Sequence, residues 1–394
     1  MHLASQDKVS SNRVEEKMAP IVYPLVDDIS GYADCSNSHQ KVRLIGESLG
    51  GFVVVPKGCS DLMPPDAKVA PLELSGSERG LLALLRMEKE LRKLAGGLCL
   101  AVSNEVTLFE VIFLAVAGKL PIVMFCWDPP GVTVRDKKDA ISRFRCWVLD
   151  LLLEWAVRLT RGLILNLHPG FLDGRIGKKT QEKIFAFPNG TTYSKNRLFA
   201  DSGRKIPKRF VVACRVNEHK GCREIVEFFR KLHAEDKETS LVWIGGGDVD
   251  CVLRKLLADG VNPDKLIMMG SVPRDEALKY IATASFGLNI YSDKPSLRWN
   301  YVLKAPEFLS FGIPIVTNRL PGICEYAIDG KTGIVFDSGD IDMGVRKTLT
   351  VLRDSCVYKC MCENALENAK RYDWDEINAK MADKILQLFS DIGQ

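Results

Sequence analysis

The chain has 394 residues, too many for one ordinary core and enough for two domains. It is 46% apolar and 26% charged, with a net charge of +4. That balance fits a soluble globular protein and argues against a dedicated nucleic-acid binder, but it allows a local basic patch facing phosphate or an anionic membrane.

Twelve cysteines stand without framework spacing, and the first 20 residues lack the apolar stretch of a secretory signal. No apolar run reaches the roughly 18 residues needed to cross a bilayer. The expectation is a cytoplasmic enzyme with reduced, mostly buried thiols. Cys356, Cys360 and Cys362 cluster without a second ligand pair nearby, so no zinc site is expected there.

Residues 1–18 read as a disordered tail, and 20–24 as the first strand. A loop rich in Gly, Ser, Asn and Asp follows over 27–41, and 52–56 is a second strand. Leucines recur at helical spacing over 80–94, and 98–102 is a buried strand. Ser103 or Asn104 can cap a helix over 106–117. The strand at 121–125 runs into Trp127-Asp128-Pro129-Pro130. Open parallel sheets bind ligands beyond the C-terminal ends of their strands, which makes Asn104 and Asp128 candidate ligand contacts. Each fits equally as a cap or turn former, and the residues leave both readings open.

A long helix is predicted over 143–161, RFRCWVLDLLLEWAVRLTR. Packing on the sheet is preferred to lying on a membrane, because Asp150 and Glu154 would face anionic headgroups. Strands follow at 162–167 and 183–187, the second ending in Pro188-Asn189-Gly190. The polar, basic stretch 191–208 reads as the connection between domains, with the linker proper at 196–208.

In the second half a strand at 210–214 ends at Arg215, and Lys220 stands five residues on, just before Gly221 and a helix over 222–232. This puts two cations at the mouth of a sheet; a surface salt bridge to Glu218 or Glu224 is the alternative. After a strand at 241–244 comes Gly245-Gly246-Gly247-Asp248-Val249-Asp250. A dinucleotide turn would need glycine at 250, and a loop with a helix start fits better than a metal-binding Asp248–Asp250 pair. A strand at 265–269, a helix at 275–283 and a strand at 286–291 follow. Residues 301–311 read as a short helix carrying Glu307 about two turns in, where a core helix has no use for a carboxylate. A turn at 312–314, a buried strand at 315–317 and a glycine-punctuated helix at 322–328 come next. Helices over 344–372 and 374–389 close the chain.

The run KAPEFLSFGIPIV at 304–316, followed by PGICEYAIDGKTGIVF at 321–336, resembles the donor-binding signature of retaining glycosyltransferases of the GT-B fold, of the family-four type (glycosyl transferases group 1). The order of Arg215, Lys220 and Glu307 and the Pro-Asn-Gly turn fit the same pattern, and the resemblance is specific from about 210 to 374. It implies an α/β architecture of two Rossmann-like doubly wound domains facing a cleft. An acceptor-side domain would span 19–195 and a donor domain 209–372, with a C-terminal helix at 373–394 crossing back to the first domain. It further implies a UDP- or GDP-linked sugar donor and a glycan, lipid or small-molecule acceptor, with no metal, other cofactor or nucleic acid. Peripheral membrane contact would follow from a lipid-linked acceptor.

Within that pattern Arg215 and Lys220 would hold the donor diphosphate, and Glu307 the ribose. Asn300, Tyr301, Val302, Leu303 and Lys304 would hold phosphate and sugar, and the segment of Gly270 and Val272 would pass the base. Asp128 joins the catalytic set and, with Asn104, the acceptor side. Trp299 stands where the family often has a first Glu, and Lys304 fits a branch with Lys three residues before the retained Glu. A sugar-nucleotide epimerase or phosphorylase on the same fold and an inactive nucleotide-binding scaffold are the alternatives.

Overall fold

Short apolar runs separated by helices can bury both faces only in parallel sheets covered on each side, and this chain builds two of them. The computed structural model describes residues 21–24, 37–56, 69–72, 96–102, 105–202 and 205–390. The tail at 1–18, the predicted helix at 80–94, and Ser103 and Asn104 lie outside the described residues.

The first sheet is wholly parallel and ordered β3-β2-β1-β4-β5-β6-β7. Its strands are β1 (Ile21–Pro24), β2 (Phe52–Pro56), β3 (Val69–Leu72), β4 (Gly97–Ala101), β5 (Ile122–Cys126), β6 (Gly162–Leu165) and β7 (Ile184–Ala186). The second is ordered β10-β9-β8-β11-β12-β13, also parallel. It comprises β8 (Arg209–Ala213), β9 (Ser240–Ile244), β10 (Leu266–Gly270), β11 (Phe286–Leu288), β12 (Ile315–Asn318) and β13 (Gly333–Phe336). In both sheets the first strand lies inside and the order reverses beside it, so each is doubly wound. The expected fold class is the observed one.

Strand alternation sorts the side chains. In the first sheet Val22, Leu98, Leu100, Met124 and Leu163 pack under helices Glu105–Phe113 and Ala140–Leu159. Tyr23, Cys99, Val123, Phe125 and Ile164 face the other way, onto helix Trp374–Ser390. The last helix therefore completes the core of the first domain. In the second sheet Phe210, Val212, Trp243 and Val316 pack with helices Cys222–Glu235 and Ile341–Arg353, and Val211, Val242 and Ile315 with helices Arg274–Ala282 and Lys304–Ser310.

Several local expectations change. Residues 37–41 belong to helix Asn37–Arg43 rather than to a loop. The edge strand β3 escaped the sequence reading because Pro71 interrupts its pattern; an edge position tolerates proline. The stretch read as an interdomain connection contains helix Tyr193–Ser202, packed on the second domain through Tyr193, Phe199 and the bond from Asn196 Nδ2 to Ser310 Oγ at 2.8 Å. The helix expected at 301–311 is Lys304–Ser310, so Glu307 lies in its first turn; the one expected at 322–328 is the single turn Pro321–Cys324.

Candidate active site

The C-terminal strand ends of both sheets face each other across a cleft of about 370 Å³. Trp127 and Asp128 after β5, Asn166 and Leu167 after β6, and Asn189 after β7 form the first wall. Cys214, Arg215 and Lys220 after β8, Tyr291 after β11 and the run Asn300–Lys304 form the second. The second wall thus sits at the switch point between β8 and β11, where doubly wound sheets take their ligands.

Local geometry explains the cations. Lys220 ends a tight turn, its N–H donating to Asn217 O at 2.9 Å. Gly221 follows with φ +84°, and a Cβ there would lie 2.3 Å from Ile290 O. Only glycine lets this turn close onto the end of β11 and aim Lys220 at the cleft. Neither nearby glutamate pairs with the two predicted cations: Glu218 bonds Arg223 at 3.3 Å, and Glu224 accepts from Ser292 Oγ at 2.9 Å. Burial pushes the Cys214 thiol up to about 11, while Lys220 and Lys304 pull it down, so both ammonium groups bear on one spot. Asp128 itself is exposed at the mouth of the cleft, yet desolvation by the walls around it raises its carboxyl; Lys220, from the opposite domain, opposes that rise.

Glu307 is 3% exposed and lies beneath the lining rather than in it. Lys304 Nζ donates to both its oxygens at 3.0 and 3.2 Å, and Arg274 Nη1 to one at 3.4 Å. A buried carboxylate needs such company. Arg274 Nε and Nη2 are buried and bond to no described residue. In the cleft wall Trp127 Nε1, Asn189 Oδ1 and Asn300 Oδ1 are in the same position, the pattern of a surface shaped for a polar ligand. Gly270 and Val272 do not line the cavity; they lie on the Arg274 side of Glu307.

Trp299, the departure from the family pattern, joins the domains. Its ring stacks on His168 at 5.7 Å, and its carbonyl accepts from His168 N at 2.9 Å. Leu167 and Asn300 pair as an antiparallel bridge. Gly322 permits this path, since a Cβ there would lie 2.3 Å from Asn300 O. Asn189 Nδ2 donates to Tyr301 O at 2.5 Å, Tyr326 Oη to Asn189 O at 2.9 Å, and Ser296 Oγ to Asp136 at 2.6 Å.

The structure thus brings together Asp128, Arg215, Lys220 and Asn300 to Lys304, with Glu307 one layer below. Sequence reasoning missed Trp127, Asn166, Tyr291 and Arg274; position after a strand was the available signal for the first three, and nothing pointed to Arg274. Asp248 caps helix Val249–Ala258, its Oδ1 accepting from Cys251 N at 2.9 Å, which bears out the loop-and-helix reading. Among the described residues no three His, Cys, Asp or Glu side chains are grouped to hold a metal.

Residues 207–354 match the family described as Glycosyl transferases group 1. The chain carries a group 1 glycosyltransferase domain. That domain contains every second-wall residue named above. The chain is 26% identical over 164 residues to sulfoquinovosyl transferase SQD2 of Arabidopsis thaliana, covering 41% of this chain and 30% of that protein. It spans less than half the length of the first curated relatives it matches. The sucrose-phosphate synthase of Thermosynechococcus elongatus superposes with a TM-score of 0.70 at 16% identity, over 95% of this chain and all of that one. HepE of Anabaena, solved with UDP, gives 0.67 at 12% identity, over 93% of this chain and all of that one. At these identities the two structures speak for the fold, which is GT-B.

Proposed function

We propose that this chain moves a sugar from a UDP- or GDP-linked donor to a glycan, lipid or small-molecule hydroxyl, with retention of configuration and without a metal ion. The observation that carries the reading is that Arg215, Lys220 and Lys304 on one wall and Asp128 on the other line the same cleft. As the glycosidic bond breaks, its electron pair stays on the diphosphate oxygen. Arg215 and Lys220 stabilise that growing charge, held in place so that no solvent need reorganise. Lys304 and the first turn of its helix hold phosphate and sugar; Glu307, beneath the lining, orients Lys304 and meets the ribose only if its bonds to Lys304 and Arg274 rearrange when the donor binds. Asp128, ionised, accepts a hydrogen bond from the acceptor hydroxyl. That hydroxyl attacks the face the phosphate leaves and gives its proton to the departing phosphate. HepE is solved with UDP, and a relative 28% identical over 142 residues is named as GDP-mannose-dependent, so UDP- and GDP-linked donors stand as equal first candidates.

Hydrolysis and transfer should be screened with UDP-, GDP- and ADP-sugars. Arg215→Ala and Lys220→Ala should each lower kcat/KM about 10²–10³-fold, the scale of a lost oxyanion-type donor. Near-normal turnover in both would refute the diphosphate role. Turnover without acceptor would favour an epimerase or phosphorylase, and tight nucleotide binding without turnover a scaffold.

A further inference from the structure

Helix Ala140–Leu159 presents apolar side chains in two opposite directions. One set, Leu149, Leu153, Ala156 and Val157, enters the first core. The other is Ile141, Phe144, Trp147, Leu151 and Trp155, spaced three, three, four and four residues apart and each 42 to 80% exposed. Single apolar side chains are ordinary on a surface; a five-residue stripe with two indoles is not. The helix packed beside it, Glu105–Phe113, adds exposed Val106 and Phe109.

The acids that weigh against a membrane in the sequence are turned inward. The Asp150 side chain keeps 16% exposure and pairs with Arg135 at 2.5 Å; Glu154 keeps 17% and pairs with Arg158 at 2.6 Å. Asp139 is exposed and caps the helix, accepting from Ser142 N at 2.8 Å, and Glu105, part-exposed beside the stripe, is paired with Arg145. Around the stripe Lys137, Lys138 and Arg143 are exposed, and residues 137–161 hold six basic against three acidic side chains.

We infer that this face docks on an anionic lipid surface and that the acceptor is lipid-borne, presented from that surface. The indoles sit at headgroup depth, and the lysines and arginine meet lipid phosphates. Placement agrees: the chain leaves the cleft at Asp128, touches the second domain through Asp136, and enters the helix at Ala140. Ile141 and Phe144 therefore lie at the cleft end, where a headgroup could reach Asp128. A second copy of the chain, meeting this face about a two-fold axis, would set like charges against each other. The acceptor class, but not the docking, rests on the transferase reading.

The full chain should sediment with phosphatidylcholine vesicles containing phosphatidylglycerol, less well in high salt, and little with phosphatidylcholine alone. Phe144→Ser combined with Trp147→Ser should lower vesicle partition by at least about tenfold. UDP binding, measured on the same samples, should be unchanged by that variant. Failure of the wild type to sediment with anionic vesicles, or equal sedimentation of the variant, would overturn the inference. So would a dimer in solution that the two substitutions dissolve. Vesicle binding without any nucleotide binding would sink the transferase reading instead and leave the docking face standing.

Discussion

Asp128 and Lys220 reach one cavity from different domains, and each sets conditions for the other. Burial raises the carboxyl; the ammonium group holds it down. If ionised Asp128 receives the acceptor, removing the Lys220 charge must raise that carboxyl further. Lys220→Met should therefore shift the acidic limb of the kcat/KM profile to higher pH, beyond its loss of rate. An unmoved or lowered limb contradicts the pairing. Arg215, Lys220 and Lys304 were legible in the sequence because each sits where a strand or helix terminus alone dictates its direction. Trp299, Asn189 and Arg274 were not. Their partners, His168, Tyr301 and Glu307, lie from 33 to 131 residues away, and nothing local announces them. The depth of Glu307 was hidden for the same reason: a helix start moved from 301 to 304 places it in the first turn, under Lys304.

The turn at Glu218–Lys220 shows how a small element places a charged group. Its closing residue, Gly221, has no room for a methyl and sits at positive φ. Gly221→Ala should cost about 1–3 kcal/mol in urea unfolding and weaken UDP binding by displacing Lys220. Unchanged affinity would mean that Lys220 does not need this turn. In the second domain β8, β9, β10 and β12 were legible to within a residue or two, since fully buried parallel strands read as apolar runs between turn formers; the strand expected at 286–291 stops at 288, and β13 was not read as a strand. The helix Ala140–Leu159 was legible as a helix but not in its orientation. A helix apolar on most sides gives periodicity no single answer, and Asp150 and Glu154 looked solvent-facing until Arg135 and Arg158 were seen to hold them.

At the scale of the molecule, alternation of strands and helices was enough to give two doubly wound sheets. The seam between them was not legible, because it is made by single residues such as Trp299, Asn189 and Ser296 rather than by a pattern. The helix Trp374–Ser390 ties the chain together differently. It lends Trp374, Ile377, Met381, Ile385 and Phe389 to the core of the first domain. At about 2 kcal/mol for each buried side chain, these contribute about 10 kcal/mol before ordering costs, comparable with a whole domain's stability. A chain ending after Asp373 should keep a protease-resistant second domain and lose the first; resistance of both would show the helix to be dispensable.

The same arrangement governs the order of events on a ribosome. Domains usually fold as they emerge, the earliest first. Here the wall that carries Asp128 lacks one of its covering layers until the final helix has been synthesised. The second domain, made later, can mature sooner, and the earlier half must wait through its synthesis with the Tyr23 and Phe125 side of its sheet uncovered, at risk of capture by chaperones or by neighbouring nascent chains.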